Sequence, residues 1–139
     1  KKEIVFGNVS VIGGGLVGAE TAEYLANKGH QVTIVEMMDK IAAGESTTVL
    51  PLMMKDFADH NVKQLVNTKV DHIENNIVYT ANEQIKADTI INALGSKKNI
   101  FDDSSITIPH VCVGDCSGER TADIASAIRT AYKAANEIG

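Results

Sequence analysis

The run Val9-Ser10-Val11-Ile12-Gly13-Gly14-Gly15-Leu16-Val17-Gly18 limits the available folds more than any other part of the chain. A short apolar stretch enters a cluster of glycines, as a buried parallel strand does where it meets a tight turn. A helical pattern follows from about Leu16 to Lys28, and Gly29 stands where a left-handed residue can end a helix. Val32-Thr33-Ile34-Val35 reads as a second buried strand. Strand, turn, helix and strand fit within about thirty residues, the size of a βαβ unit.

Within that unit Gly13 to Gly18 matches G-x-G-x-x-G, and Glu36 closes the second strand 18 positions after Gly18. The pattern means little alone; between a strand and a helix, with an acid at the next strand end, it is a dinucleotide fingerprint. Gly13 permits the sharp turn, and Gly15 has no Cβ to block a pyrophosphate. Unpaired N–H groups near Leu16 and Val17 can bond phosphate oxygens, aided by the helix dipole. Gly18 lets the helix lie close to the sheet, and Glu36 is placed to accept the hydroxyls of an adenosine ribose. The candidate cofactor-binding residues are therefore Gly13, Gly14, Gly15, Leu16, Val17, Gly18 and Glu36. The competing reading is a glycine turn that only packs, with Glu36 a solvated strand end.

Glu36 also selects between cofactors. A 2′-phosphate about 4 Å from its carboxylate would be repelled by roughly 4 kcal/mol at a surface dielectric, and about 1.4 kcal/mol already gives tenfold preference. Met37 and Met38 follow, and Lys40 is the nearest cation in sequence, so NADH is favoured over NADPH.

Further along, a helix is expected from Ser46 to about Asp59, with Pro51 in its first turn, and a third strand from Val62 to Val66. Val70–Glu74, Ile77–Thr80 and Gln84–Ala87, parted by Asn75-Asn76 and Ala81-Asn82-Glu83, predict an antiparallel meander in place of a crossover helix. Thr89 to Leu94 is a buried strand ending at Gly95. Residues 96–105 are polar and turn-rich, the expected linker between a first domain over 1–95 and a C-terminal piece over 106–139. That piece holds a last strand, His110 to Val113, and a long helix with Ile124, Ala127, Ile128, Ala131, Ala134, Ala135 and Ile138 on one face. The strand either joins the sheet of the first domain or belongs to another. The fold class is α/β: a Rossmann-like, mostly parallel sheet with helices on one face and a small antiparallel meander on the other, a three-layer ββα arrangement.

Composition excludes several classes. A net charge of −5 without a basic run disfavours nucleic acid, and no stretch nears the roughly 18 apolar residues of a membrane span. The N-terminal residues are too mixed for a signal peptide, and the absence of an initiator Met reads as a piece of something longer. Cys112 and Cys116, separated by three residues, fit neither a redox C-x-x-C nor a zinc site; they read as thiols of a cytoplasmic protein, with Cys112 in the core. His30, His60, His72 and His110 are scattered, so no metal site is expected. There is no G-x-S-x-G elbow, and no residue stands out as acid, base or nucleophile.

Gly13 to Gly18 with Ala19-Glu20 resembles the pyridine-nucleotide fingerprint of the two-dinucleotide flavoprotein reductases. Asn92-Ala93-Leu94-Gly95-Ser96 resembles the A-[TL]-G segment closing their NAD(P)H domain, and Val113-Gly114-Asp115 resembles their later G-D motif. The likeness runs from about Val9 to Ile138 and is nearest to NADH:flavin oxidoreductases related to 2,4-dienoyl-CoA reductase and 2-enoate reductase, which join an FMN barrel, an iron–sulfur cluster and a two-nucleotide module. The resemblance implies an NADH-binding domain that passes hydride to FAD, with the FAD and FMN domains of the parent polypeptide as partners. The chain departs from the family in lacking an FAD fingerprint, cluster cysteines and a barrel, and Lys98 stands where Pro-Asn usually begins.

By the same likeness Gly95 is a cofactor-binding residue, Glu20 lies toward the nicotinamide, and Asp115 touches flavin in the parent, with Thr121 a possible support. Glu20 reads equally well as a surface carboxylate, and Asp115 as a cap of the last helix. A stand-alone nucleotide-binding or sensing module and an FAD-binding domain remain the alternatives.

Overall fold

The computed structural model describes residues 5–43, 48–95, 102–117 and 124–138. The chain divides into two compact units, residues 1–95 and 96–139. In the first, β1 (Val9–Ile12), α1 (Leu16–Asn27), β2 (Val32–Val35), α2 (Leu50–Asp59), β3 (Lys63–Leu65), β4 (Val70–Glu74), β5 (Ile77–Thr80), β6 (Gln84–Lys86) and β7 (Thr89–Asn92) follow one another. Four strands form a parallel sheet in the order β3-β2-β1-β7, and β4-β5-β6 form an antiparallel sheet. This is the predicted α/β, Rossmann-like sheet with its meander.

β1 is buried along its whole length because strands flank it on both edges and layers cover both faces. Its side chains alternate between those layers. Val9 and Val11 join Ala22, Leu25, Met53 and Phe57 on the helix side. Ile12 joins Val35, Val78 and Ile85 on the meander side.

Chain ends of the helices follow their sequence signals. At the end of α1, Gly29 (φ +88°) donates to Ala26 O and His30 N–H to Leu25 O, the paired bonds of a Schellman cap. Asn61 (φ +55°) closes α2 in the same way, with Val62 N–H on Phe57 O. Pro51 occupies the first turn of α2, as expected. The expected helix start at Ser46 lies outside the described residues. Asn75 and Asn76, at φ +48° and +61°, make the two-residue turn from β4 to β5, a geometry that asparagine tolerates better than most residues.

Ser10, on β1, is fully buried, and its Oγ has no hydrogen-bond partner among the described residues. A buried hydroxyl without a partner costs about 1–3 kcal/mol. Ser10→Ala is therefore expected to raise stability by about 1 kcal/mol, the small void offsetting part of the gain, as a urea titration would show.

In the second unit a 3-10 turn over Gly114–Cys116 precedes α3 (Ile124–Glu137). Two expectations are corrected here. His110 to Val113 is not a strand: it pairs with none of the described strands, and Val111 and Val113 are exposed. Cys112 is accordingly only partly buried rather than in a core. The apolar stripe of α3 lies on one face as expected and is mostly exposed, with Ala134 its buried member among the described residues. Ser126, Thr130 and Ala134 are buried, whereas Ile124 and Ile128 are 82% and 65% exposed. On the buried side Thr130 Oγ1 accepts the Gly114 N–H at 2.8 Å and donates to the Ser126 carbonyl at 2.9 Å, tying that side of α3 to the 3-10 turn.

His110 faces two acceptors, the Ile108 carbonyl at Nδ1 (3.0 Å) and Asp103 Oδ2 at Nε2 (2.9 Å). Only the imidazolium can donate to both. The Ile108 carbonyl first, then Asp103, hold its pKa above the usual histidine value. Because the folded pKa is raised, the contribution of this pair is complete below the unfolded pKa and fades as pH rises through the folded one. An NMR titration should place His110 above 6.5, and Asp103→Asn should bring it part of the way back.

Candidate functional site

The site is built on the turn between β1 and α1. Gly13 has φ +98°, and a Cβ there would lie 2.5 Å from the Ala93 carbonyl oxygen. A Cβ on Gly18 would lie 1.9 Å from the Gly13 oxygen, so only glycine lets α1 begin this close to the strand. Gly14 is also confined, since its Cβ would meet Ile41 Cδ1 at 2.5 Å and Glu36 Cβ at 3.0 Å. Gly15 is different. It is the N-cap of α1 in an ordinary extended conformation (φ −63°, ψ −179°), and nothing lies within 4 Å of where its Cβ would be.

That open ground borders a cleft of about 580 Å³ at the carboxyl ends of the parallel strands, where ligands of such sheets bind. Gly13, Gly15, Glu36 and Gly95 line it. The structure thus brings these four predicted residues together. Gly14 and Gly18 are buried in the turn behind it. Leu16, Val17 and Glu20 sit exposed on the first turns of α1, outside the cleft lining. Asp115 lies in the 3-10 turn of the second unit, whose Gly114 is fixed by Thr130; Thr121 lies outside the described residues.

Glu36 is 9% exposed and fully engaged with backbone. Its Oε2 accepts the Gly14 N–H at 2.6 Å and its Oε1 the Met38 N–H at 2.7 Å. Each carboxylate oxygen keeps a second lone pair for a further donor. The cleft also holds Asn92 and Leu94 of the segment that ends at Gly95, and residues that the sequence did not flag: Thr68 and Lys69 from the loop after β3 and Asp71 from the start of β4. Lys69, not Lys40, is thus the cation sharing the cleft with Glu36. Strand order carries that signal, since β3 lies next to β2, whose end bears Glu36. Among the described residues no group of three or more His, Cys, Asp or Glu could hold a metal, and no helix is long and apolar enough to cross a membrane.

Residues 1–111 match the family model described as pyridine nucleotide-disulphide oxidoreductase. The chain belongs to that family. A bilirubin reductase of Mediterraneibacter gnavus is 45% identical over 99% of this chain and 22% of its own length. A cinnamate reductase of Clostridium sporogenes is 32% identical over 94% of this chain and 21% of its own length. The chain therefore spans about a fifth of either reductase. Among solved structures, a 2-naphthoyl-CoA reductase complex superposes with a TM-score of 0.68 at 28% identity, covering 91% of this chain and 20% of that one. A water-forming NADH oxidase from Lactobacillus brevis, bound to NADH, gives 0.57 at 25% identity over 66% of this chain and 22% of that one. The pyridine nucleotide-disulphide oxidoreductase fold here is thus a redox domain of flavoprotein type, from a family of enzymes that use FAD and NAD(P)H.

Proposed function

We propose that residues 1–95 bind NADH in preference to NADPH, as one domain of a longer NADH:flavin oxidoreductase in which residues 106–139 contribute to the flavin side. One observation supports this most. The protein itself explains Gly13, Gly14 and Gly18 by its own backbone and packing, but nothing in the protein requires Gly15 to be glycine. Its missing side chain leaves a cradle on the cleft at a helix N-terminus, and a pyrophosphate is the group that such a cradle fits.

In this reading the turn from Gly13 to Gly18 holds the pyrophosphate, with N–H groups near Leu16 and Val17 as donors. Glu36 takes the ribose hydroxyls on its remaining lone pairs, and Gly95 and Glu20 belong to the nicotinamide end. Asp115, positioned by Thr130 through Gly114, belongs to the flavin of the parent polypeptide. Bound here, NADH supplies a hydride that FAD takes up, while this chain binds, orients and shields. The proposed kinship with 2,4-dienoyl-CoA and 2-enoate reductases draws support from the cinnamate reductase, since cinnamate is a 2-enoate, and from the acyl-CoA reductase fold match. The two partly buried thiols fit a reducing, cytoplasmic compartment.

The test is a calorimetric titration of the chain with NADH and NADPH at moderate salt. NADH is expected to bind at least about tenfold more tightly, the ratio that about 1.4 kcal/mol of repulsion at Glu36 gives. Equal affinities would remove the preference. Yellow protein as purified, with no affinity for NADH, would mark an FAD-binding domain instead.

A further inference from the structure

The glycine turn is held by more than its own bonds. Gly14 sits at a variable position of the motif, yet its N–H and C=O are both engaged by the segment after β2. The N–H goes to Glu36 Oε2 at 2.6 Å, and the carbonyl accepts from Ala42 N at 2.6 Å. Ala42 adopts φ +49°, a conformation disfavoured for alanine, to reach it. Ile41 and Ala42 are buried over the turn. Glu36 Oε1 meanwhile accepts from Met38 N, whose carbonyl accepts from Asn67 N, and Thr68 N donates to the Glu36 carbonyl. The Glu36 side chain thereby joins the glycine turn to the loop after β2, and the backbone carbonyls of Glu36 and Met38 hold the loop after β3.

We propose that Glu36 is a positioning residue whose carboxylate clasps the glycine turn to the loop after β2, which its main chain ties to the loop after β3, so that the adenosine half of the cleft is formed before any ligand arrives. Its consequence concerns specificity. If the carboxylate were only a ribose ligand and a repellent of phosphate, neutralising it would shift preference toward NADPH. As a clasp, its removal releases the turn that holds the pyrophosphate common to both cofactors, and affinity for both falls. The second glycine of the run supports this, because a Cβ on Gly14 would meet the side chains of Ile41, Glu36 and Ile34 pressed against it.

The test uses the ligand-free chain, so it does not depend on the NADH reading; only its affinity arm rests on that. Amide hydrogen exchange of Gly14 and Met38 is compared in wild type, Glu36→Ala and Glu36→Gln, with Val11 of β1 reporting whether the sheet is intact. In Glu36→Ala both amides should exchange at least about tenfold faster while Val11 is unchanged. Glu36→Gln keeps the shape but offers one acceptor oxygen, its NH₂ facing the other donor, so protection should be lost at one of the two amides. Titration should show NADH weakened about 100-fold or more in Glu36→Ala, with no gain in NADPH affinity. Unchanged protection of both amides in both variants, or a switch to tight NADPH binding in Glu36→Ala, would overturn the clasp. Wild-type chain that fails to bind NADH would overturn the functional reading and leave the exchange result standing.

Discussion

Gly18→Ala is expected to lower folding stability by about 2 kcal/mol, although alanine is the better helix former. In an exposed helix the exchange would gain about 1 kcal/mol. Here the new methyl would lie 1.9 Å from the Gly13 carbonyl oxygen and 3.2 Å from Ala93 Cβ. The first contact is with backbone, which cannot swing aside as a flexible side chain would. Forcing a methyl into packed interior costs about 1–3 kcal/mol, occasionally more, and this position falls at the upper end. Relief requires α1 to back away from β1, which also opens the contact of Ala19 and Ala22 with the core. Denaturant and thermal unfolding should agree on the loss, which corresponds to roughly 10 °C in a domain of this size. A variant as stable as wild type would mean that helix and turn can part at little cost, and the steric role given to Gly18 would be withdrawn.

The parts of the fold legible in the sequence are those fixed by short-range sterics. β1, α1 and β2 fall where the apolar runs and the glycines put them, because Gly13 and Gly18 answer clashes between near neighbours in sequence or in adjacent strands. The meander is legible for a similar reason: Asn75-Asn76 can make a two-residue turn without help from the rest of the chain. His110 to Val113 has the apolar composition of a strand, but a strand exists only with a partner to bond, and among the described residues it has none. On α3 the apolar periodicity is plain, yet the side tied to the 3-10 turn is the polar one, where Thr130 Oγ1 accepts the Gly114 N–H. A hydrophobic pattern says which face could be buried; it does not say whether anything is there to bury it.

The same distinction runs through the site. Gly13, Gly15, Glu36 and Gly95 converge because one βαβ unit and one strand end place them at the same edge of the sheet. Lys69 and Asp71 reach that edge through the order β3-β2-β1-β7, which no local motif announces. The two amides on Glu36 were equally hidden, since a strand-end acid gives no hint whether its oxygens face a ligand or the chain's own backbone.

Gly15→Val separates the binding role of the turn from its structural role, and is expected to weaken NADH about 100-fold while leaving the fold in place. The backbone at Gly15 is extended, at φ −63° and ψ −179°, a conformation that valine adopts without strain. Its side chain would meet nothing within 4 Å of the Cβ. At an N-cap without a side-chain hydrogen bond, the change from glycine costs at most about 1 kcal/mol of stability. Binding is another matter, because the side chain would project beside the first N–H groups of α1, on the cleft that Gly15 lines. Each charge-assisted bond from those N–H groups to a phosphate is worth about 1.5–3 kcal/mol, and a hundredfold loss corresponds to about 2.7 kcal/mol. Losing one such bond, or forcing the phosphate slightly outward, suffices. A variant that keeps its melting temperature and loses NADH would tie the cofactor to the glycine turn by a route independent of Glu36. One that keeps both would place the dinucleotide elsewhere, since no other ligand-facing reason for glycine at this position would be left.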